Sequence, residues 1–124
     1  MANPAHFALQ ILSAAREAEA DAGLGDLPPV ARDILHLIAA SVVNKRTMPR
    51  VSDLVAFGRF GTPPTVYSHL AALENAGWIE GQPHPEDGRA KLLTITPQAR
   101  RLYRAMGRVM AGEVVSARQP EARP

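Results

Sequence analysis

The chain has 124 residues, of which 46% are apolar and 21% are charged, and it contains no cysteine. A chain of this length can bury one ordinary core, and without cysteine it has no disulfide, thiolate nucleophile or iron–sulfur cluster. The N-terminus lacks the basic start of a secretory signal, and its apolar residues are interrupted by charge, so a cytoplasmic protein without a membrane span is predicted.

Charge alternates in sign along the chain. The formal net charge is only +2, yet residues 41–70 carry four basic and one acidic side chain, and residues 97–124 carry six basic and two acidic. This distribution of charge is more informative about binding partners than the net charge.

Two helices are predicted in the first third of the chain. The first spans about residues 4–22, with Phe7 and Ile11 on its apolar side and Gly23 and Gly25 at its end. The second starts at Pro28 and Pro29, runs to about Val43 and is followed by the stop at Pro49. Its apolar stripe is predicted to consist of Val30, Ile34, Leu37, Ile38 and Val42.

Two shorter helices follow. One begins at Ser52, ends at Gly58 and Gly61, and is expected to bury Leu54, Val55 and Phe57. The other spans about residues 63–76 and ends at Gly77. Thr62 is its predicted N-cap and Pro63 its first residue, and its predicted buried face consists of Val66, Leu70 and Leu73.

The last third is predicted to contain two strands and a helix. The strands are residues 78–82 and 91–95, joined by a loop too long for a tight hairpin. Thr96 caps a final helix that begins at Pro97. Its apolar stripe is Ala99, Leu102, Tyr103, Met106, Val109 and Met110. Residues 119–124 are predicted to be a disordered tail.

A pair of short helices followed by a hairpin is the order of a winged helix-turn-helix. With Val66 and Leu70 buried, the helical step turns small or uncharged residues outward, namely Pro64, Ser68, Ala71 and Asn75, with Thr65 and Tyr67 on the flanks. Such a surface can enter a major groove, where hydroxyls reach bases or phosphates. An amphipathic helix with a neutral surface is the alternative interpretation.

The loop HPEDGRAKL, residues 84–92, has the composition of an exposed turn. Gly88 permits a tight reversal, Arg89 projects from the tip, and Asp87 can hold the guanidinium in a fixed direction. An arginine presented in this way suits a narrow minor groove. The alternative is a solvated loop with a weak surface ion pair.

The run TVYSHLAALENAGWIEGQPHPEDGRAKLLTITPQARRLY resembles the multiple antibiotic resistance regulator (MarR) family of transcription factors, over about residues 50–105. The resemblance implies a mainly α fold with a small β-hairpin wing: a winged helix-turn-helix DNA-binding core at 28–96, flanked by dimerisation helices at 4–26 and 97–118, within a single domain over 1–124. It also implies a homodimer with a recognition helix in each of two major grooves. Arg89 would enter the flanking minor groove and Asp87 would orient it. Compared with that family, the chain is shorter and is expected to lack one C-terminal helix.

The predicted function is therefore a sequence-specific DNA-binding transcriptional regulator, a repressor, that binds a palindromic operator as a homodimer. The predicted phosphate-contacting residues are Lys45, Arg46, Arg50, Ser52, Arg59, His69 and Lys91. The predicted groove contacts and wing residues are Thr62, Pro64, Thr65, Tyr67, Ser68, Asp87, Gly88 and Arg89. The predicted dimerisation residues are Phe7, Ile11, Leu102, Met106, Val109 and Met110.

Other kinds of site find little support in the sequence. His6, His36, His69 and His84 are scattered and lack metal-ligand spacing, so neither a metal nor a cofactor is predicted. Catalysis by Glu86 and Asp87 would need a walled pocket, which a hairpin tip lacks, and no enzyme is predicted. The arginines at 100, 101, 104 and 108 suit either a solvated helix face or a patch near an acidic partner.

Two questions stay open at this point. The family analogy allows a small-molecule effector, but no residue of the sequence indicates one. A winged-helix protein-interaction module that has lost DNA binding is the alternative function, suggested by the modest net charge and by the absence of an arginine beside Ser68. Steep weakening of DNA binding by salt would distinguish a DNA-binding protein from such a module.

Overall fold

A computed structural model describes the backbone of residues 3–118 and the side chains of residues 3–112. The chain forms five helices and one hairpin within these residues: α1 Pro4–Asp21, α2 Pro29–Asn44, α3 Val51–Ala56, α4 Pro63–Asn75, β1 Ile79–Pro83, β2 Lys91–Ile95 and α5 Pro97–Arg118. A short 3-10 turn at Leu24–Asp26 follows α1. The tail predicted to be disordered, residues 119–124, lies outside the described residues.

The chain divides into two compact units. One unit is Leu27–Arg100, and the other consists of the described parts of residues 1–26 and 101–124. In the first unit, α2 contacts α4 and β2, and α3 also contacts both. The prediction of a single domain over residues 1–124 stays a prediction.

The apolar face of α2 differs from the predicted stripe. Ile34 and Ile38 are buried as expected, but Val30 is exposed, and Leu37 and Val42 are only half-buried. The buried stripe is completed by Ala31, Leu35 and Ala39. Two overlapping apolar stripes run along this helix, and helical periodicity cannot decide which one faces α4 and β2.

The helix α3 begins at Val51, one residue earlier than predicted. Leu54 is buried, but Phe57, which was predicted to pack inward, is 59% exposed. Since α3 ends at Ala56, Phe57 lies in the following turn. Phe60 is buried instead, with its ring centroid 6.2 Å from that of Phe57.

The junction between α4 and β1 explains why the first strand begins one residue later than predicted. Gly77, with φ of 82°, lets the chain leave the helix, and its N–H bonds to Glu74 O at 3.1 Å. The N–H of Trp78 bonds to Leu73 O at 3.0 Å, which closes a Schellman motif. Trp78 is therefore part of the helix cap, and strand pairing starts with Ile79 opposite Ile95.

A third extended segment, which the sequence did not indicate, lies beside the hairpin. Arg50 forms an isolated antiparallel bridge with Leu92, and the N–H of Leu93 donates to Pro49 O at 2.9 Å. Pro49, predicted only as a helix stop, thus lies on the edge of a sheet, where a proline carbonyl can still accept a hydrogen bond. The segment fixes the start of α3 against β2.

The start of α5 matches its prediction. Thr96 Oγ1 accepts a hydrogen bond from the N–H of Ala99 at 3.2 Å and also donates to Gly77 O. One side chain therefore caps α5 and satisfies a carbonyl at the end of α4. Farther along the predicted stripe, Leu102 and Met106 are buried and Val109 is exposed.

Candidate nucleic-acid interface

The first turn of α4 presents side-chain hydroxyl groups but few free backbone N–H groups. Its first two residues, Pro63 and Pro64, have no N–H, so Thr65 is the only one of the first three helical residues that retains this donor. Thr62 is the N-cap as predicted, but its Oγ1 lies 3.0 Å from Thr65 Oγ1 and makes no hydrogen bond to the backbone. The two hydroxyls form a paired polar group at the tip of the helix.

The outward face of α4 is neutral and composed of small side chains. Val66, Leu70 and Leu73 are buried, as predicted. The exposed residues include Pro64, Thr65, Tyr67, Ser68, Ala71 and Asn75, and His69 at the edge is half-buried. Glu74, near the C-terminal end of the helix, is also exposed and pairs with Lys91. The rest of this face has hydroxyl donors and acceptors, one phenol ring and no charge, which suits the close approach of a base-pair edge.

The wing loop contains a tight turn stabilised by its own acidic residue. The N–H of Ala90 bonds to Asp87 O at 3.0 Å, and Asp87 Oδ1 accepts the backbone N–H of Arg89 at 3.0 Å. The prediction that Asp87 holds the Arg89 guanidinium is wrong for this structure: the carboxylate holds the backbone of the turn instead. Gly88 lacks a positive φ, so the turn does not require glycine there.

His84 organises the same loop, although the sequence offered no reason to single it out. Its Nδ1 accepts the backbone N–H of Glu86 at 3.0 Å and that of Asp87 at 3.2 Å, and the backbone N–H of His84 donates to Ala90 O at 3.0 Å. A histidine ring can act on nearby amides as an aspartate carboxylate does in an Asx turn. This similarity between a histidine ring and an Asx carboxylate is the only sequence signal that could have indicated the role of His84.

The predicted phosphate-contacting residues occupy different surroundings. Arg50 lies at the wing, with Nη2 3.4 Å from His84 Nε2. Arg59 lies over the Phe60 ring, 5.9 Å from its centroid. Ser52, Lys45 and Arg46 are exposed, and within residues 3–112 no hydrogen bond or ion pair joins Lys45 or Arg46 to α4 or to the wing.

Lys91 forms an ion pair across the base of the wing. Its Nζ lies 3.3 Å from Glu74 Oε1, and the same oxygen accepts the N–H of Gly81 at 3.2 Å. The lysine stem crosses Gly81 so closely that a Cβ there would collide with it. The pair therefore links α4 to the hairpin, a structural role that the sequence did not predict. Contact of Lys91 with phosphate stays a prediction.

The predicted dimerisation residues lie in the second unit. Leu102 and Met106 are buried within one chain, and Phe7, Ile11 and Met110 are half-buried. Val109 is 43% exposed. The sequence did not single out Leu9 and Leu12 of α1, which are 63% and 49% exposed. Leu9 also lines a groove of about 350 Å³ along α1.

Membrane-spanning and metal-binding features are both absent from the described part of the chain. Within residues 3–118, none of the helices combines the length and apolar character that a membrane crossing requires. Among the side chains of residues 3–112, no group of three or more histidine, aspartate or glutamate residues is positioned to hold a metal ion.

The comparisons with known proteins agree on the fold. A family model described as a winged helix DNA-binding domain matches residues 29–99, more than half of the chain. No curated protein matches the chain in sequence at a significant level.

Solved structures are similar over most of the chain. The transcriptional regulator Tm0710 from Thermotoga maritima has 19% identity and a TM-score of 0.63, covering 87% of this chain and 73% of its own. A mutant of S. aureus MepR bound to an oligodeoxyribonucleotide has 18% identity and a TM-score of 0.60, with coverages of 92% and 83%. MarR has 20% identity and a TM-score of 0.56, with coverages of 96% and 83%. At these identities the likeness confirms the predicted winged helix-turn-helix fold.

Proposed function

The chain belongs to the winged helix DNA-binding domain family, and we propose that it is a sequence-specific transcriptional repressor that binds a palindromic operator as a homodimer. Its fold is shared with MarR, so the predicted resemblance to that family is confirmed. A transcription regulator that binds DNA is the function that this family and fold support. Repression, the palindrome and the dimer are the parts that we propose.

The observation that carries the proposal is the neutral outward face of α4. The exposed side of the first half of this helix consists of Pro64, Thr65, Ser68, Ala71 and one large side chain, Tyr67, and none of them carries a charge that would keep the helix out of a major groove. The hydroxyl pair of Thr62 and Thr65 lies at its leading end. We infer that Tyr67 and these hydroxyls contact base edges, while the basic side chains around them contact phosphates and fix the register.

Arg50, at the edge of the wing, supports contact on a second part of the duplex. It lies beside the loop that presents Arg89, and both side chains are exposed. Two exposed cations at the wing suit the phosphates that border a groove next to the one that α4 would occupy. In this proposal Arg89 enters the minor groove, where the negative potential of a narrow groove attracts arginine.

Apolar exposure in the terminal helices supports the homodimer. Leu9 and Leu12 are three residues apart on α1 and are two of the large apolar side chains that are exposed within residues 3–112. Exposed apolar side chains that are neighbours on one helix are unfavourable in water, and such surfaces can mark an interface. Two copies related by a twofold axis would present two α4 helices to half-sites about one helical turn apart.

Selection of bound duplexes from a random pool at near-physiological salt tests the proposal. We expect a palindrome, and the selected duplex should bind more tightly than a scrambled duplex of the same composition. For both duplexes, the logarithm of the binding constant should fall linearly with the logarithm of the salt concentration, because phosphate contacts release counterions. Failure to recover any sequence, together with no salt-dependent binding, would contradict the proposal and favour the protein-interaction module.

The dimer and the direction of regulation need separate measurements. Sedimentation equilibrium should give twice the mass of the chain, and Leu9→Glu should shift it toward the monomer, whereas Lys45→Glu serves as a surface control. A reporter placed behind the selected palindrome should be repressed when the protein is present. Release of DNA by a small-molecule effector is expected from the family resemblance alone, whereas action in the cytoplasm is expected from the N-terminal sequence.

A further inference from the structure

The wing loop closes around the imidazole of His84. Its Nδ1 accepts two backbone N–H groups, from Glu86 and Asp87, at 3.0 and 3.2 Å. The backbone N–H of His84 donates to Ala90 O, which closes the loop at the other end. The turn that presents Arg89 thus lies inside a segment whose first half is held by one ring nitrogen.

This arrangement fixes the tautomer of the ring. A nitrogen that accepts hydrogen bonds carries no proton, so the neutral ring must carry its proton on Nε2. Nε2 lies 3.4 Å from Arg50 Nη2, and both atoms are then donors. The contact is therefore not a hydrogen bond, and Arg50 does not compete for the acceptor on Nδ1.

We propose that His84 is a positioning residue of the wing: its unprotonated Nδ1 holds the Glu86 and Asp87 amides and thereby fixes the turn from which Arg89 is presented. A side chain that lacks this acceptor should release both amides, whereas one that keeps an acceptor at the same position should retain the turn.

The loop contains a second acceptor. Asp87 Oδ1 accepts the backbone N–H of Arg89, so the His84 ring holds the first half of the turn and the Asp87 carboxylate holds the second half. Loss of the ring acceptor alone should therefore loosen the start of the turn and leave the Arg89 amide bonded.

The first test needs no DNA. In the full-length protein at about pH 8, the ¹⁵N shifts of the His84 ring should show an unprotonated Nδ1 that accepts hydrogen bonds. The Glu86 and Asp87 amides should exchange with solvent slowly in the wild type and in His84→Asn, which keeps an acceptor at the position of Nδ1. In His84→Ala both amides should exchange about tenfold faster. A ring with its proton on Nδ1, or equal exchange in His84→Ala and the wild type, would overturn the proposal.

The second test rests on the proposed function. The ratio of affinities for the selected and scrambled duplexes should fall about tenfold in His84→Ala, the effect expected from losing two neutral hydrogen bonds. It should be retained in His84→Asn, and all three proteins should keep the same circular dichroism spectrum. An equal fall in His84→Asn, or an unchanged ratio in His84→Ala, would overturn the proposal. If His84→Ala releases the amides but the wild type prefers no duplex, the proposed function fails and the positioning role of His84 stands.

Discussion

The carboxylate of Asp87 lies 3.0 Å from the backbone nitrogen of Arg89 and accepts its hydrogen bond. The acid therefore shapes the turn from which Arg89 projects, and it acts on the main chain rather than on the guanidinium. A surface ion pair would contribute between about 0 and 1 kcal/mol and would weaken with salt, whereas a hydrogen bond that closes a turn depends on having an acceptor at that position. This difference leads to the first prediction.

Asp87→Asn should bind the selected duplex about as tightly as the wild type, because the amide oxygen can replace the carboxylate as acceptor. Asp87→Ala should lose about 0.5–1.5 kcal/mol of binding free energy, the net value of one hydrogen bond. Fluorescence anisotropy with a labelled duplex measures both. An Asn variant as weak as the Ala variant would show that the charge, and not the acceptor, is what matters.

Arg89→Ala should weaken specific binding by about 1–3 kcal/mol if the side chain enters a groove. The side chain is exposed, so the melting temperature should not change. Arg89→Lys is the matched control, since it keeps the charge but loses the planar fork of donors. Unchanged affinity of the alanine variant for the selected duplex would contradict the minor-groove role.

Replacement by alanine should have different costs at Gly88, in the wing loop, and at Gly77, before the first strand. Gly88 has no positive φ, and a Cβ there would meet nothing within 4 Å, so Gly88→Ala should change the free energy of unfolding by less than about 0.5 kcal/mol. Gly77 has φ of 82°, and a Cβ would lie 2.8 Å from Gln98 Oε1. Gly77→Ala should cost at least about 1–2 kcal/mol, the strain of a left-handed conformation. Urea denaturation compares the two, and equal costs would contradict the backbone argument.

The Lys91 side chain has two candidate roles, and one pair of variants separates them. Lys91 and Glu74 are 51% and 40% exposed, so Lys91→Ala should destabilise the fold by at most about 1 kcal/mol. If Lys91 also contacts a phosphate, the same change should reduce the logarithmic salt slope of DNA binding by about 1. Glu74→Gln, which keeps an acceptor for the Gly81 N–H, should then strengthen binding. An unchanged slope would leave Lys91 with its structural role alone.

Tyr103 should make the fold sensitive to alkali. Burial, and to a lesser extent the negative charge of Glu19, raises the pKa of its hydroxyl well above the ordinary value. Above about pH 10 the unfolded chain releases this proton and the folded chain keeps it, so the free energy of unfolding falls by at most about 1.4 kcal/mol per pH unit.

Tyr103→Phe is the control for this effect. Loss of the contacts of the hydroxyl would change the free energy of unfolding by the same amount at every pH. Loss of the proton linkage would instead make the free energy of unfolding fall less steeply with pH above about pH 10. Denaturant unfolding at several alkaline pH values measures both quantities. Equal slopes in the two proteins would contradict the raised pKa of Tyr103.

Local chemistry in the sequence determined the elements and most of their ends. Pro63 and Pro97 start helices because a first-turn residue needs no N–H donor, and Gly77 ends one because it adopts a left-handed conformation at little cost. The buried side of α4 was also predictable, since Val66, Leu70 and Leu73 are apolar and its other faces are mostly polar or small. These features depend on neighbours within about one helical turn.

Contacts between residues far apart in sequence were decided only by the tertiary structure. Which of two apolar stripes α2 buries depends on where α4 and β2 lie, and periodicity is the same for both. The pairing of Arg50 with Leu92 and of Lys91 with Glu74 joins residues 42 and 17 positions apart. The loop HPEDGRA shows the same limit: its composition indicated a wing, but only the folded backbone gives Asp87 the Arg89 amide and places the His84 ring between two amides and Arg50.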